Sequence, residues 1–145
     1  MSHVVNTVIA AALALASLIS PSVSYAADYV VQSGDDSGEC ANRHHLGTIT
    51  ARFRYQVQHV PGLPDVSITD FQNIHEHRYL PETYEWPIAR RYCGATAILS
   101  DGASREIWYL IEGRMGFAGM GENVEFCVAG FDRWYVYNGA CRVLR

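Results

Sequence analysis

The chain has 145 residues, is 49% hydrophobic and carries a formal net charge of −4, from 11 arginines and no lysine against 15 acids. That length fits one domain with a modest core. The absence of any basic run or patch argues against a nucleic-acid partner.

From Val8 to Ile19 the chain reads VIAAALALASLI, an apolar run broken by Ser17. It has the length of a signal h-region and falls short of a bilayer span. Ser20, Pro21 and Ser22 break the run, and Ser24-Tyr25-Ala26 sets small residues at the two positions a signal peptidase must accommodate. Residues 1–26 are therefore expected to be a signal peptide cut after Ala26, addressing the chain to the periplasm or the extracellular space. Residues 1–7 carry no Lys or Arg, a departure from the usual charged start. No membrane span is expected after cleavage.

Cys40, Cys93, Cys127 and Cys141 all follow that segment, an even number in an oxidising compartment, which predicts two disulfides. Their gaps of 53, 34 and 14 positions exclude C-x-x-C redox and zinc-knuckle motifs. Three pairings are open. Cys127 with Cys141 closes the shortest loop and is favoured, which leaves Cys40 for Cys93.

Residues 27–47 are rich in Gly, Asp and Ser and predict a flexible leader tied down at Cys40, ahead of a single β-rich domain over 48–145. Thr48 to Val60 reads TITARFRYQVQHV, and Ile49, Ala51, Phe53, Tyr55 and Val57 alternate with polar residues as in a half-buried strand. Pro61 to Asp65 is a turn, Val66 to Thr69 a short return strand, and Pro81 to Pro87 a loop. A short helix is the alternative around Asp70 to Glu76. Ile88 to Leu99 and Arg105 to Ile111 predict a hairpin about Ser100-Asp101-Gly102. Val124 to Ala129 and Arg133 to Tyr137 predict two further strands, and Asn138-Gly139 a type I′ turn into an edge strand over Ala140 to Leu144. The fold class expected is mainly β, a small antiparallel sandwich or barrel of six to seven strands.

Two constellations bear on function. His75 and His77 would point to one side of an extended segment, and with His44 or His45 as a third imidazole they compose a candidate Zn or Cu site. Met115, Phe117 and Met120 lie in a glycine-rich loop and either cap one end of the barrel or offer an adaptable apolar contact surface. The order of glycines 116, 119 and 121 is G-x-x-G-x-G, which does not match a dinucleotide loop. Either Trp134 or the opposite face of the same strand, with Tyr135 and Tyr137, offers an aromatic platform suited to a peptide or sugar while the other fills the core. No G-x-S-x-G or H-E-x-x-H motif occurs. The expectation is an exported, non-enzymatic binding or structural protein that meets an exported protein, a peptide or an envelope component without a cofactor. A His-based metal-binding protein is the alternative.

Overall fold

The structure, a computed structural model, describes residues 37–113 and 121–145. The expected signal peptide, residues 27–36 of the leader, and Met115, Phe117 and Met120 lie outside the described residues.

A helical turn α1 (Ser37–Cys40) leads into helix α2 (Arg43–His59), so the expected leader is helical from Ser37 on. Four strands follow: β1 (Ile68–Leu80), β2 (Arg90–Leu99), β3 (Ser104–Glu112) and β4 (Asn123–Val128). A 3-10 segment, Gly139–Leu144, closes the chain. The strands form one antiparallel sheet in the order β1-β2-β3-β4. The described residues thus hold four strands in an open sheet flanked by a helix, in place of a closed barrel or sandwich of six or seven. Among them no helix is long and apolar enough to cross a membrane.

The strand expected over Thr48 to Val60 is the body of α2, and the difference has a physical cause. Residues 49, 53 and 57 satisfy a spacing of two and a spacing of four alike. Ala51 and Tyr55 separate the two patterns, and both are exposed, whereas His45, Ile49, Phe53 and Val57 are buried along one stripe. The ends of the helix are locally encoded. The Asn42 Oδ1 accepts from the His44 N–H at 3.0 Å as an N-cap. At the other end Val60 precedes Pro61 and turns extended, as the proline ring demands of its predecessor. The arginine and glutamine that completed the alternation flank the buried stripe instead. Arg52 donates to the Val124 carbonyl at 2.7 Å and Gln56 to the Phe131 carbonyl at 2.9 Å, which fastens α2 to β4 and the segment beyond it.

The hairpin between β2 and β3 turns at Ser100-Asp101-Gly102 as expected, with Gly102 at φ +83°, a conformation that favours glycine. The Asp101 carboxylate accepts from the Ala103 N–H at 2.9 Å and fixes the turn. β1 absorbs the whole polar stretch from 70 to 80, including the segment for which a short helix was the alternative. Its register slips between Ile68 and Asp70, between Gln72 and His75 and again between Glu76 and Arg78, with Asn73 at φ +52° inside the second irregularity.

Alternation along the strands divides the side chains between two cores. Cys93, Ala95, Ala97 and Leu99 of β2 and Ile107, Tyr109 and Ile111 of β3 pack under Ile49, Phe53 and Val57 of α2. The Tyr109 hydroxyl finds its partner in the Cys40 carbonyl at 2.7 Å, deep in this layer. On the opposite face Leu110 and Cys127 pack with Cys141 and Leu144, and Tyr92, Trp108 and Tyr137 border them. The disulfides follow the same division. Cys40–Cys93 ties α1 to the helix face, and Cys127–Cys141 ties the 3-10 segment to the other, as the favoured pairing anticipates. Two disulfides fit an oxidising compartment.

Candidate functional site

Arg133 to Tyr137, expected as a strand, is a run of turns, and Asp132 explains it. One carboxylate oxygen accepts from the Val136 N–H at 2.9 Å and the other from the Tyr137 N–H at 2.8 Å. Those amides are thereby withdrawn from any ladder, the usual way a local side chain competes with secondary structure. The backbone completes the loop, with Tyr135 N–H on the Asp132 carbonyl and Asn138 N–H on the Tyr135 carbonyl. Arg133 adds a hydrogen bond to the Pro61 carbonyl, anchoring the loop to the turn after α2. The Asn138-Gly139 pair does not make the expected type I′ turn, because Asn138, at φ +63° and ψ 170°, caps the segment that follows, its Oδ1 accepting from the Gly139 N–H at 2.7 Å. The continuation through Ala140 and Cys141, both at positive φ, winds into the 3-10 segment and seats Cys141 against Cys127, so no edge strand forms.

This loop holds its large apolar side chains outward. Trp134, Tyr135 and Val136 are 65%, 71% and 67% exposed. Tyr135 sits at φ +54°, a left-handed conformation that a bulky side chain rarely adopts and that the Asp132 hydrogen bonds hold in place. Beside the loop lies a groove of about 310 Å³, lined by Phe126, Phe131, Trp134, Val136 and Tyr137 with Arg52 at its edge. Its volume is at the lower end of those that take a ligand or a partner side chain. The Tyr137 hydroxyl is held above its ordinary ionisation range, first by burial and then by the carboxylates of Glu125 and Asp132.

The histidines divide between the two faces. His75 and His77 rest edge-on against Trp108, with ring centroids at 6.0 and 5.2 Å, on the face away from α2. They share a side, as the extended-segment argument requires, and Gly94 makes room for His75 against Trp108, since a Cβ there would stand 2.7 Å from the His75 ring and 2.8 Å from Trp108. The His77 imidazole is held neutral-favouring, below its ordinary pKa, by burial first and then by Arg78 and His75. His44 belongs to α2 on the other side of the sheet, so the three imidazoles do not converge. Among the described residues the ligand-type atoms that do converge are those of Glu39, His45 and Glu122.

Comparison with family models, with curated proteins and with solved structures finds none that matches the chain, and the site is read from its own chemistry. Of the residues expected to make contacts, Trp134 is described and exposed. Val136 escaped the sequence reading because that reading singled out the aromatic residues of the segment, although as a strand residue Val136 would share the face of Trp134. Asp132, four and five residues ahead of the amides it binds, was the available signal for a turn.

Proposed function

We propose that the protein is a small exported, non-enzymatic binding domain of the periplasm or extracellular space, and that it engages a protein or peptide partner through the loop from Asp132 to Tyr137 and the groove beside it. The observation that carries this reading is the outward triplet Trp134, Tyr135 and Val136, held on a loop whose shape Asp132 fixes. Contiguous apolar exposure of this kind costs solvation free energy and is rare on surfaces with nothing to bind. Fixing the loop beforehand lowers the ordering entropy that a partner must overcome, and aromatic anchors next to a groove have the chemistry of an interface hot spot. The two disulfides support an oxidising destination, and the apolar run at 8–19 followed by Ser24-Tyr25-Ala26 supports export.

The test is affinity capture with the oxidised protein beside a Trp134→Ser, Val136→Ser double variant. Because both side chains are exposed, the variant should keep its unfolding free energy within about 0.5 kcal/mol of the parent. Loss of a discrete captured partner with stability unchanged supports the reading. An identical captured set from parent and variant removes the loop from any function.

A further inference from the structure

His45 is the third residue of α2 and its side chain is 1% exposed. Neither ring nitrogen has a hydrogen-bond partner among the described residues. A buried imidazole left in that condition is destabilising, and native structures rarely leave one so. Its Nε2 nevertheless faces two carboxylate oxygens, Glu122 Oε2 at 3.1 Å and Glu39 Oε2 at 3.7 Å. The Glu122 oxygen is within hydrogen-bonding distance yet is not aligned to accept from the ring, and the Glu39 oxygen is too distant to do so. Two carboxylate oxygens gathered beside a buried, unpartnered imidazole nitrogen are placed as ligands of a shared ion would be.

The distances agree with that arrangement. Metal–nitrogen and metal–oxygen bonds of about 2.0 to 2.2 Å at tetrahedral angles put neighbouring ligand atoms about 3.3 Å apart. The two separations measured from Nε2 bracket that value, and all three ligand atoms lie within 4.8 Å of one another. Glu39 and Glu122 are 49% and 46% exposed, which leaves the outer side of the set open to solvent. A pocket of about 230 Å³ lined by Glu39, Glu122, Tyr79 and Arg91 adjoins it.

The surroundings orient the ligands without competing for them. The Asn42 amide donates to Glu39 Oε2 at 3.3 Å while its oxygen caps α2, so one side chain positions the helix start and the carboxylate together. The nearby cations have carboxylates of their own, Arg91 pairing with Glu76 and Arg90 with Glu112. Among the described residues no arginine pairs with Glu39 or Glu122.

We propose that Glu39, His45 and Glu122 bind one divalent first-row transition ion of the zinc class, with at least one coordination position left to water. The imidazole selects this class over calcium and magnesium, which prefer all-oxygen shells. The ion joins the helical N-terminal segment to the chain entering β4, two parts of the protein that the disulfides leave unlinked to each other.

The experiment is calorimetric titration of the chelator-treated, oxidised protein with Zn²⁺, repeated with Ca²⁺, on the parent and on Glu39→Gln, Glu122→Gln and a His75→Ala, His77→Ala double variant. Both glutamates are half exposed, so their amides should leave the fold intact, and circular dichroism checks that. The expected result is one Zn²⁺ per chain in the parent. Loss of an outer-shell partner alone weakens such sites about 10- to 100-fold, so loss of either glutamate ligand should weaken binding about 100-fold or more. The double histidine variant should bind as the parent does. Co²⁺ in place of Zn²⁺ should give visible absorption bands that Glu122→Gln abolishes. No saturable Zn²⁺ uptake overturns the proposal. So does parental affinity in both glutamine variants, preference for Ca²⁺, or loss of binding with His75 and His77.

Discussion

The sheet has two faces, and they are held down by different means. Under α2, sixteen buried residues among those described form one apolar layer that runs from Cys40 to Phe131. On the opposite face four buried residues gather around a disulfide, and aromatic side chains only partly cover the remainder. The helix supplies a continuous stripe, so its face is stabilised chiefly by apolar burial. The 3-10 segment is too short to supply such a stripe, and its cover depends on the bond between Cys127 and Cys141. Both candidate sites lie where this cover ends, the aromatic loop just before the 3-10 segment and the Glu39-His45-Glu122 set at the N-terminal end of α2.

Truncation of one core residue per face tests the contrast most strongly. Phe53 is fully buried and meets Phe131 edge-on with ring centroids 4.9 Å apart. Phe53→Ala should cost about 3–5 kcal/mol of unfolding free energy through the cavity it leaves. Leu144→Ala should fall near the lower limit of about 2 kcal/mol for such truncations, because the short 3-10 segment that carries it, held by one disulfide, can relax into the space. Urea unfolding of both variants measures the difference. Equal losses would mean that the C-terminal cover is a core in its own right.

How legible this was from the residues depends on the kind of signal. The β2–β3 hairpin and β4 were readable because β-branched and aromatic runs end at turn residues whose chemistry is local. The disulfide partners were readable from loop length. Helix α2 was misread because its stripe at 49, 53 and 57 fits both periods, and the exposed Ala51 and Tyr55 have nothing polar to mark them as outward. The deciding marks were local ones, Asn42 as cap and Pro61 as stop. The segment 133–137 was misread because aromatic content suggests a strand, whereas one aspartate diverts its amides. The Glu39-His45-Glu122 set has no sequence spacing at all. It is assembled by the sheet, which brings residue 122 back to the start of α2, and only the three-dimensional fold could present it.

The disulfides sharpen the comparison next. Cys40–Cys93 spans 53 positions and Cys127–Cys141 spans 14. Loop-closure entropy assigns them about 4 and about 3 kcal/mol respectively. Replacing each pair by serine should therefore lower stability in that order. The structural consequences should differ more than the energies. Without Cys127–Cys141, hydrogen exchange should rise in residues 139–144 and leave β2 and β3 protected, whereas without Cys40–Cys93 the loss should spread through α1 and the first turns of α2. Exchange that rises uniformly in both variants would show that the two faces unfold as one unit and that the contrast is only geometric.

The smallest effect separates the faces by pH. On the helix face, burial raises the Tyr109 hydroxyl well above its ordinary value of 10.0. Above pH 10 the unfolded chain releases a proton that folded Tyr109 keeps, so stability falls as pH rises, by up to about 1.4 kcal/mol per unit for one group. On the other face, burial and the neighbouring Arg78 and His75 lower His77 below 6.5. Below pH 6.5 the unfolded chain takes up a proton that folded His77 resists, so stability falls as pH falls. Tyr109→Phe should flatten the alkaline limb of a stability profile while costing about 1 kcal/mol at neutral pH through its lost bond to the Cys40 carbonyl. A smaller alkaline slope should persist from the half-buried Tyr137. His77→Gln should flatten the acid limb below pH 6.5 and leave the alkaline one unchanged. If either variant altered both limbs, the two cores would be coupled through the sheet, and the layer of β2 and β3 side chains between them would be the place to look for that coupling.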